Sequence, residues 1–420
     1  MIKKVLTNTL AQLIAKGFTA TTTLTVTLLI SRFLGPSGFG DFTKVFVFVG
    51  YFYTFVDFGF NSIYVKRANP KNEKELLNSL LALRLILSTV LSLVAITFGQ
   101  ILPYSEIEKT GFNPTVKAAI IIASATIITQ ALFATANAFF QKRLTYHLST
   151  ISAGLGSLMI LIWAIFVSKT GPSIISYSAG YVLGGIVSAT VALAIIFSIT
   201  KKAILPNFTR FQLLSLFKES FPIGLALITN LIYFRNDVFI LSNTRQSSEV
   251  GLYGLAYLFF ENSLTLPIFL SNAIFPVLVT NFKDNLTVFK KNLAFYFKLF
   301  TLLSVAVSII LYLVAYLIPL YDTRFTGSKD ALQILSIGVP FFFLSALLWH
   351  LVIIYGRQIH LIYIYGLGAL LNLILNLALI PKNGYLAAAA TTIISEGFIL
   401  ILLIWLSTKL ITRKGNEVDA

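Results

Sequence analysis

Long apolar segments, separated by clusters of charged residues and by Pro/Gly turns, run through the whole sequence. A helix needs about 20 mostly apolar residues to cross the hydrocarbon core of a bilayer. Only 11% of the residues are charged and 57% are hydrophobic, which is too few charges to cover a soluble surface. The sequence therefore predicts an all-α polytopic membrane protein with twelve transmembrane helices, at 6–31, 42–65, 76–101, 115–140, 144–167, 173–199, 221–242, 250–280, 293–319, 331–355, 359–380 and 384–408.

The basic residues test this count, because cytoplasmic loops collect Lys and Arg. The 32 Lys and Arg exceed the 16 Asp and Glu, giving a net charge of +16. With the N-terminus inside, the inside segments hold 20 of the 32 basic residues and a net charge of +14, against 9 basic residues and +3 outside. This alternation predicts that both termini are cytoplasmic. It also accounts for the positive charge without a nucleic-acid partner.

The longest inside connection, residues 201–219, lies almost at mid-chain. Its aromatic and aliphatic residues recur at helical spacing beside basic ones, which predicts an amphipathic helix on the inner membrane face. The connection divides the chain into an N-terminal six-helix lobe, 1–206, and a C-terminal six-helix lobe, 207–420. A weak echo between FGDF at 39–42 and VGLY at 250–253 supports an internal duplication. Two such lobes suggest alternating access around a central site.

Several kinds of catalytic chemistry are missing from the sequence. There is no cysteine, and the three histidines lack the spacing of metal ligands. The outside loops are short, and no phosphate-cradling glycine loop or nucleophile elbow is present. We therefore expect no enzyme activity, no catalytic residues, no metal and no cofactor other than a possible coupling ion, H⁺ or Na⁺.

Ionisable residues inside predicted spans are functional candidates, because a charge in the bilayer must be paired or used. Lys16, Asp57 and Arg84 fall at one predicted depth, about 12–15 Å above the cytoplasmic face. They could form a site for an anion. Two alternatives stay open: Lys16 could pair with Asp57 and fix helix register, and Arg84 could extend to the inner headgroups.

The predicted second half carries four more such residues. Arg235 and Asp237 are two apart on a helix, so they must face different partners. Glu261 could reach Arg235, as a structural latch or as a pair that separates when substrate binds. Glu396 lies mid-membrane, as an ion-coupling residue or as a helix–helix hydrogen-bonding residue. Arg235 is thus a third basic candidate beside Lys16 and Arg84, and Asp237, Glu261 and Glu396 join Asp57 as acidic ones.

Polar side chains also mark the predicted eleventh span. Asn372 and Asn376 are four residues apart and form a narrow polar stripe. Amides on one helix face in a membrane commonly hydrogen-bond to a neighbouring helix. We expect them to hold the eleventh span against another helix.

Five segments resemble the oligosaccharide-lipid flippases of the multidrug/oligosaccharidyl-lipid/polysaccharide (MOP) exporter superfamily. They are RFLGPSGFG at 32–40, DFGFN at 57–61, RND at 235–237, VGLY at 250–253 and IPKNG at 380–384. The resemblance is spread over most of the chain in the right order, and it is nearest to the O-antigen and capsule repeat-unit flippases. The sequence departs from the family where the usual Gly-Ala-Ala is replaced by YLAAA at 385–389.

This resemblance implies a V-shaped, MATE-like pair of six-helix lobes in the bacterial plasma membrane. It implies a polysaccharide-biosynthesis protein that moves undecaprenyl-diphosphate-linked oligosaccharides to the outer leaflet, coupled to protons or sodium. Lys16, Arg84 and Arg235 would then attract the diphosphate. The partners would be the lipid-linked substrate, the membrane and other polysaccharide-assembly proteins.

Two other functions remain open from the residues. One is a MATE-like small-molecule or cation antiporter of the same architecture, since the seven candidate charges sum to −1 and do not decide the substrate. The other is a polysaccharide polymerase or ligase, which the short outside loops disfavour. The sugar composition and the oligomeric state do not follow from the sequence.

Overall fold

The architecture comes from a computed structural model, which describes the backbone of residues 2–418. It describes the side chains of residue 17 and of residues 19–225, 227–228, 234–282 and 284–412. Within these residues the chain is almost entirely α-helical. Besides turns and irregular connections, it contains a 3-10 turn at Thr323–Phe325 and a two-stranded antiparallel hairpin of β1 (Tyr104–Ser105) and β2 (Thr110–Gly111).

Fourteen α-helices make up the described chain. Their bounds are α1 (Ile2–Asp57), α2 (Phe60–Arg67), α3 (Glu73–Ile101), α4 (Pro114–Ala123), α5 (Ala125–Lys142), α6 (Tyr146–Thr170), α7 (Ile174–Thr200), α8 (Arg210–Thr244), α9 (Ser247–Ser263), α10 (Thr265–Asp284), α11 (Leu286–Val314), α12 (Leu317–Tyr321), α13 (Thr326–Ile354) and α14 (Gln358–Val418).

Nine helical stretches of the described chain are long and apolar enough to cross a membrane, by length and composition. Two of the helices in these stretches contain a break. In α1 the break is at Gly35 (φ 66°, ψ −179°), and in α14 it is at Gly384 (φ 66°, ψ −149°). This backbone conformation is essentially restricted to glycine. Each of the two helices is therefore a pair of helical segments joined at a glycine.

The breaks correct two expectations from the sequence. The sequence predicts loops outside the membrane at 32–41 and 381–383, but 32–41 is helical except at Gly35, and 381–383 is helical up to the break at Gly384. Proline lies one residue after Gly35 and three residues before Gly384, and its missing N–H removes a helical hydrogen bond close to each break. Lys44, expected on an outside loop, is a helical residue with only 1% of its surface exposed.

The connection at 201–219 also differs from the expectation. No separate amphipathic helix forms: the chain is irregular from Lys201 to Thr209, and α8 then runs without interruption from Arg210 through Pro222 to Thr244. The amphipathic residues are instead the first turns of α8. Among them Phe211 is 83% exposed and Leu214 is 50% exposed, so the expected apolar face is present on a longer helix.

The chain forms two compact units. Unit 1 comprises residues 1–235 and 246–251, and unit 2 comprises residues 236–245 and 252–420. In unit 1, α7 packs on α4, α5 and α6, and α1 packs on α6; in unit 2, α13 packs on α10, α11 and α14. The boundary of the predicted sequence repeat, at 206/207, remains a prediction.

Two glycines of the sequence echo meet inside unit 1. A Cβ atom on Gly40 would lie 1.6 Å from the carbonyl oxygen of Ser247, and one on Gly251 would lie 2.0 Å from that of Pro36. Any side chain would separate these backbones, so the two glycines allow α1 and the start of α9 to pack backbone to backbone. Beside this crossing, buried Lys44 donates to the Gly111 carbonyl at 2.6 Å and to the Ser247 hydroxyl at 2.9 Å.

Candidate functional site

The first group of candidate residues surrounds a break between α1 and α2 in unit 1. Phe58 (φ 41°) and Gly59 (φ 75°) both adopt left-handed backbone conformations, so the chain turns sharply between Asp57 and Phe60. A Cβ atom on Gly59 would lie 2.3 Å from Cγ2 of Ile223, which leaves no room for a side chain. The break places the carboxylate at the end of α1 and Asn61 in the first turn of α2 close together.

Arg84 of α3 occupies the space between these two residues. Its Nη2 donates to Oδ1 of Asp57 at 3.2 Å and to Oδ1 of Asn61 at 2.9 Å. Its Nε donates to the carbonyl of Val56 at 3.4 Å, and its guanidinium carbon lies 5.7 Å from the centre of the Phe60 ring. The buried Nη1 has no hydrogen-bond partner among the described residues.

The exposure of the two charged partners is unequal. Arg84 is 0% exposed, whereas 46% of the Asp57 side chain is not covered by protein. Arg84 therefore does not extend to the headgroups, and that alternative is wrong, because its guanidinium is paired and buried. The expected common depth of Asp57 and Arg84 is consistent with their contact. The side chain of Lys16 lies outside the described residues.

Arg235 lies near the end of the part of α8 that belongs to unit 1. Its side chain is half-buried and has interaction partners of its own. Its backbone carbonyl accepts a hydrogen bond from the Tyr51 hydroxyl at 2.9 Å. The structure thus connects Arg235 to α1 through its backbone, whereas its role in binding remains a prediction.

Asp237, two residues later, is a buried residue of unit 2 with 3% of its surface exposed. Its Oδ2 accepts a hydrogen bond from the Tyr253 hydroxyl of α9 at 2.5 Å, and its Oδ1 accepts from the backbone N–H of Val238 at 2.7 Å. Tyr253 itself is fully buried and packs against the ring of Tyr257. The carboxylate is therefore held in one orientation by a phenol.

An amide network fills the neighbouring interior of unit 2. Asn376 donates to Oδ1 of Asn236 at 2.6 Å and to Oδ1 of Asn372 at 2.9 Å, and its own oxygen accepts from the hydroxyl of Thr391. Asn372 donates to the hydroxyl of Ser395 at 3.1 Å. The network joins α8 to both segments of α14. It bears out the expectation that the two asparagines hold helices together.

Two further acidic candidates belong to unit 2. Glu396 directly follows Ser395 of the network and is 2% exposed, and it interacts electrostatically with the phenol of Tyr365. Glu261, near the end of α9, is exposed. Both have interaction partners. The structure therefore places Glu396, but not Glu261, in the buried polar interior of unit 2.

Sequence reasoning missed three members of the network: Asn236, Thr391 and Ser395. One signal was available, because Thr391 and Ser395 are four residues apart and match the spacing of Asn372 and Asn376. The pairing of the two stripes could not be read from spacing, since it depends on how the segments of α14 fold at Gly384. Within the described residues, no group of three or more His, Asp or Glu side chains could hold a metal ion.

These features define a polytopic membrane protein: helices of spanning length, and two units that each bury polar and ionisable groups. A family model for "Polysaccharide biosynthesis protein" matches residues 2–282. The chain belongs to this family. It is a multi-pass membrane protein with a fold shared by MOP-superfamily transporters and flippases.

The fold is similar to that of two solved structures along nearly their full lengths. One is the lipid II flippase MurJ in an inward closed conformation, with a TM-score of 0.74 and 17% identity over 95% of this chain and 88% of that chain. The other is an inward-facing multidrug resistance MATE family transporter, with a TM-score of 0.74 and 13% identity over 94% and 95%. At these identities the similarity shows the fold alone.

A similarity in sequence is found with membrane protein MJ1068 of Methanocaldococcus jannaschii. The two are 33% identical over 95 residues. The match spans 23% of this chain and 19% of that protein, so it covers about a fifth of its relative.

Proposed function

We propose that this protein is a flippase that moves undecaprenyl-diphosphate-linked oligosaccharides, as O-antigen or capsule repeat units, to the outer leaflet of the bacterial plasma membrane. The family and the MurJ-like fold support a lipid-linked substrate, and the similarity to transporters favours transport over catalysis. Other polysaccharide-assembly proteins would supply and remove the substrate. The membrane topology that we propose has twelve spans in two six-helix lobes, with both termini in the cytoplasm.

The helix breaks support the twelve-span topology. Nine stretches of the described chain are of spanning length. Counting α1 and α14 as two spans each, and adding α8, brings the number to twelve. Alternating access between the two lobes then follows as the mechanism that we propose.

The observation that carries the proposal is the unequal Asp57–Arg84 pair. A carboxylate inside a membrane span, with 46% of its side chain uncovered, needs water or a polar ligand on its open side. Arg84 behind it has a buried Nη1 that can still donate a hydrogen bond. We infer that the substrate diphosphate displaces Asp57 and binds the Arg84 guanidinium in its place, because phosphate oxygens match the planar donors of a guanidinium. Lys16 and Arg235 are the further cations that we propose for this anion.

Ion coupling is assigned in this proposal to the acidic residues of unit 2. Asp237 is buried and its Oδ2 accepts from the Tyr253 hydroxyl, and a buried carboxylate can take up H⁺ or supply an oxygen ligand to Na⁺. Glu396 is the second candidate, because it adjoins the same network. Glu261 is exposed, so we give it a pairing role.

A reconstituted system tests the function directly. In proteoliposomes that carry a fluorescent undecaprenyl-diphosphate oligosaccharide on one leaflet, the wild-type protein should expose the label to a membrane-impermeant quencher on the other side. Arg84→Met should reduce this rate at least about tenfold, since a charged hydrogen bond is worth roughly 1.5–3 kcal/mol. The matched control is Arg210→Met, which removes an exposed arginine of the same unit.

The same assay separates the competing functions. A MATE-like antiporter is the second candidate, because the fold matches the MATE transporter and MurJ with the same TM-score of 0.74. If the wild-type protein moves no lipid but exports an organic cation, the antiporter would be favoured. Elongation or transfer of the oligosaccharide would instead indicate a polymerase or ligase. An Arg84→Met protein that flips the lipid at the wild-type rate would remove Arg84 from the substrate site.

Ion coupling has its own test in the same vesicles. Asp237→Asn keeps the shape of the side chain but removes its charge. We expect this variant to lose the acceleration that an inward sodium or proton gradient produces. If the Asp237→Asn variant is still accelerated by the gradient and the Glu396→Gln variant is not, the coupling site would be assigned to Glu396.

A further inference from the structure

A cavity of about 690 Å³ lies inside unit 1, apart from the residues considered above. Its walls come from the turn before α3, the first turns of α3, the ends of α5 and α7, and the irregular chain at 202–204. None of the seven candidate charged residues lines it. It lies at the end of the helices where the sequence predicts the cytoplasmic, lysine-rich loops.

Three lysines and Arg143 line this cavity against two glutamates, which leaves it with a net positive charge of +2. Lys71, Lys74 and Lys202 line it, and their ammonium groups make no hydrogen bond or ion pair with the described side chains. The two carboxylates in the wall are already engaged. Glu73 accepts two hydrogen bonds from Arg143, and Glu75 accepts one from Gln212 at 2.5 Å.

The pairing of Glu73 is firm, because Arg143 contacts both of its oxygens, at 3.1 Å and 2.6 Å. These hydrogen bonds raise the pKa of Arg143, so the guanidinium stays charged throughout the physiological range. Arg143 also lies over the Phe139 ring, 4.5 Å from its centre. Glu73 is therefore not free to neutralise the lysines.

One wall of the cavity is apolar. It includes Leu77, Phe139 and Ile196, which are all nearly fully buried, and Ile199, which is 43% exposed. An inorganic anion has no apolar surface to bury, so contact with such a wall adds no binding free energy. A molecule with a charged head and a hydrocarbon tail matches both sides of the cavity.

The connection between α7 and α8 forms one side of the cavity and is fixed to α3. The backbone N–H of Leu205 donates to Oδ1 of Asn78 at 3.3 Å, and that of Asn207 donates to the Asn78 carbonyl at 3.1 Å. Gln212 adds side-chain contacts to Ser79 and Glu75. The cavity is therefore built from anchored elements.

We propose that this cavity binds the phosphate headgroup of an anionic membrane lipid. The lysines would contact the phosphate, and the first part of the lipid tail would lie against the apolar wall. A bilayer phospholipid such as phosphatidylglycerol and a polyprenyl diphosphate share this chemistry. The inference does not depend on the proposed flippase function, since an ordinary phospholipid is sufficient.

Photolabelling tests this site on the full-length protein. In phosphatidylcholine nanodiscs that contain a little diazirine-labelled phosphatidylglycerol, we expect crosslinks in residues 196–204. The variant Lys71→Gln/Lys74→Gln/Lys202→Gln should lose at least about tenfold of this labelling, because each lysine near an anionic headgroup contributes several-fold in affinity. The control variant Lys290→Gln/Lys291→Gln/Lys298→Gln removes three exposed lysines of α11 and should label normally.

A steric variant and three competitors complete the design. Ala203→Trp fills the cavity without changing its charge, and it should also reduce labelling. Competition by unlabelled phosphatidylglycerol would identify a bilayer lipid, and competition by undecaprenyl diphosphate alone would identify a polyprenyl lipid. Competition by inorganic pyrophosphate alone would overturn the lipid assignment. Equal labelling of the triple variant and the wild type would overturn the site.

Discussion

The two buried polar regions of this protein hold their charge in different ways. In unit 1, the fully buried Arg84 is balanced by one half-covered carboxylate, Asp57, and by one amide, Asn61. In unit 2, the Asp237 carboxylate is held by a phenol beside a network of asparagine, threonine and serine side chains. The first region depends on a single ion pair, and the second on one phenol–carboxylate hydrogen bond and several hydrogen bonds between neutral side chains.

This difference predicts different responses to substitution. Removing one member of a buried ion pair leaves an uncompensated charge, which costs several kcal/mol. Removing one amide from a neutral network leaves polar groups without partners, which costs about 1–3 kcal/mol. The ionic region should therefore be the more sensitive to a single change, and the network should respond in proportion to the hydrogen bonds lost.

The largest effect is expected from Asp57→Ala. This variant leaves the 0%-exposed guanidinium of Arg84 with Asn61 and a backbone carbonyl as acceptors. We expect a loss of about 3 kcal/mol in the free energy of unfolding. Thermal unfolding of the detergent-purified protein, followed by tryptophan fluorescence, should show a Tm lower by roughly 5 °C.

Two variants serve as controls for this prediction. Asp57→Asn keeps a hydrogen-bond acceptor and should lose less. Arg84→Met leaves behind the half-uncovered carboxylate and should also be less destabilising than Asp57→Ala. If Arg84→Met lowers the Tm more than Asp57→Ala does, the assignment of the buried and open members of the pair is wrong.

A middle-sized effect is expected from Asn376→Ala. The change removes two donated hydrogen bonds and one accepted hydrogen bond from a fully buried position. We expect a loss of about 2 kcal/mol, because Asn236, Asn372 and Thr391 each lose a partner. The same unfolding measurement applies, and Thr408→Val, an exposed position on the same helix, should leave the Tm unchanged. A neutral Asn376→Ala would mean that the network does not hold α14.

The smallest effect is expected from Tyr253→Phe. It removes only the hydroxyl that donates to Asp237 and keeps the buried ring. A hydrogen bond to a charged group is worth about 1.5 kcal/mol at the lower end, so the loss of stability should be close to that value. The Tm of this variant should lie between those of the wild type and Asn376→Ala. A larger drop than that of Asn376→Ala would reverse the order proposed for unit 2.

Much of the first region could be predicted from sequence. Asp57 and Arg84 were placed at one depth because helix rise is regular, and their contact agrees with this. The pairing itself was not predicted, since Arg84 was expected at an anion site or at the headgroups. It depends on the left-handed turn at Phe58 and Gly59, which brings Asn61 back towards α3.

Less of the second region could be predicted from the sequence. The stripe of Asn372 and Asn376 was visible from its spacing, and its role in holding helices was expected. Its partners Asn236 and Thr391 lie 140 and 15 residues away from Asn376. Spacing along a helix gives the face of a residue, but it does not give the element that the face meets.

The sequence by itself determined that this chain is a helical membrane protein. Only 11% of its residues are charged, and its apolar segments recur along the whole chain. In lipid, such segments can hydrogen-bond all their backbone polar groups only as helices. It also located the ionisable residues that the membrane interior must accommodate. Only the tertiary structure decided which of them pair and which are half open. That choice depends on glycine positions such as 35, 59 and 384, where a backbone conformation that other residues rarely adopt redirects the chain.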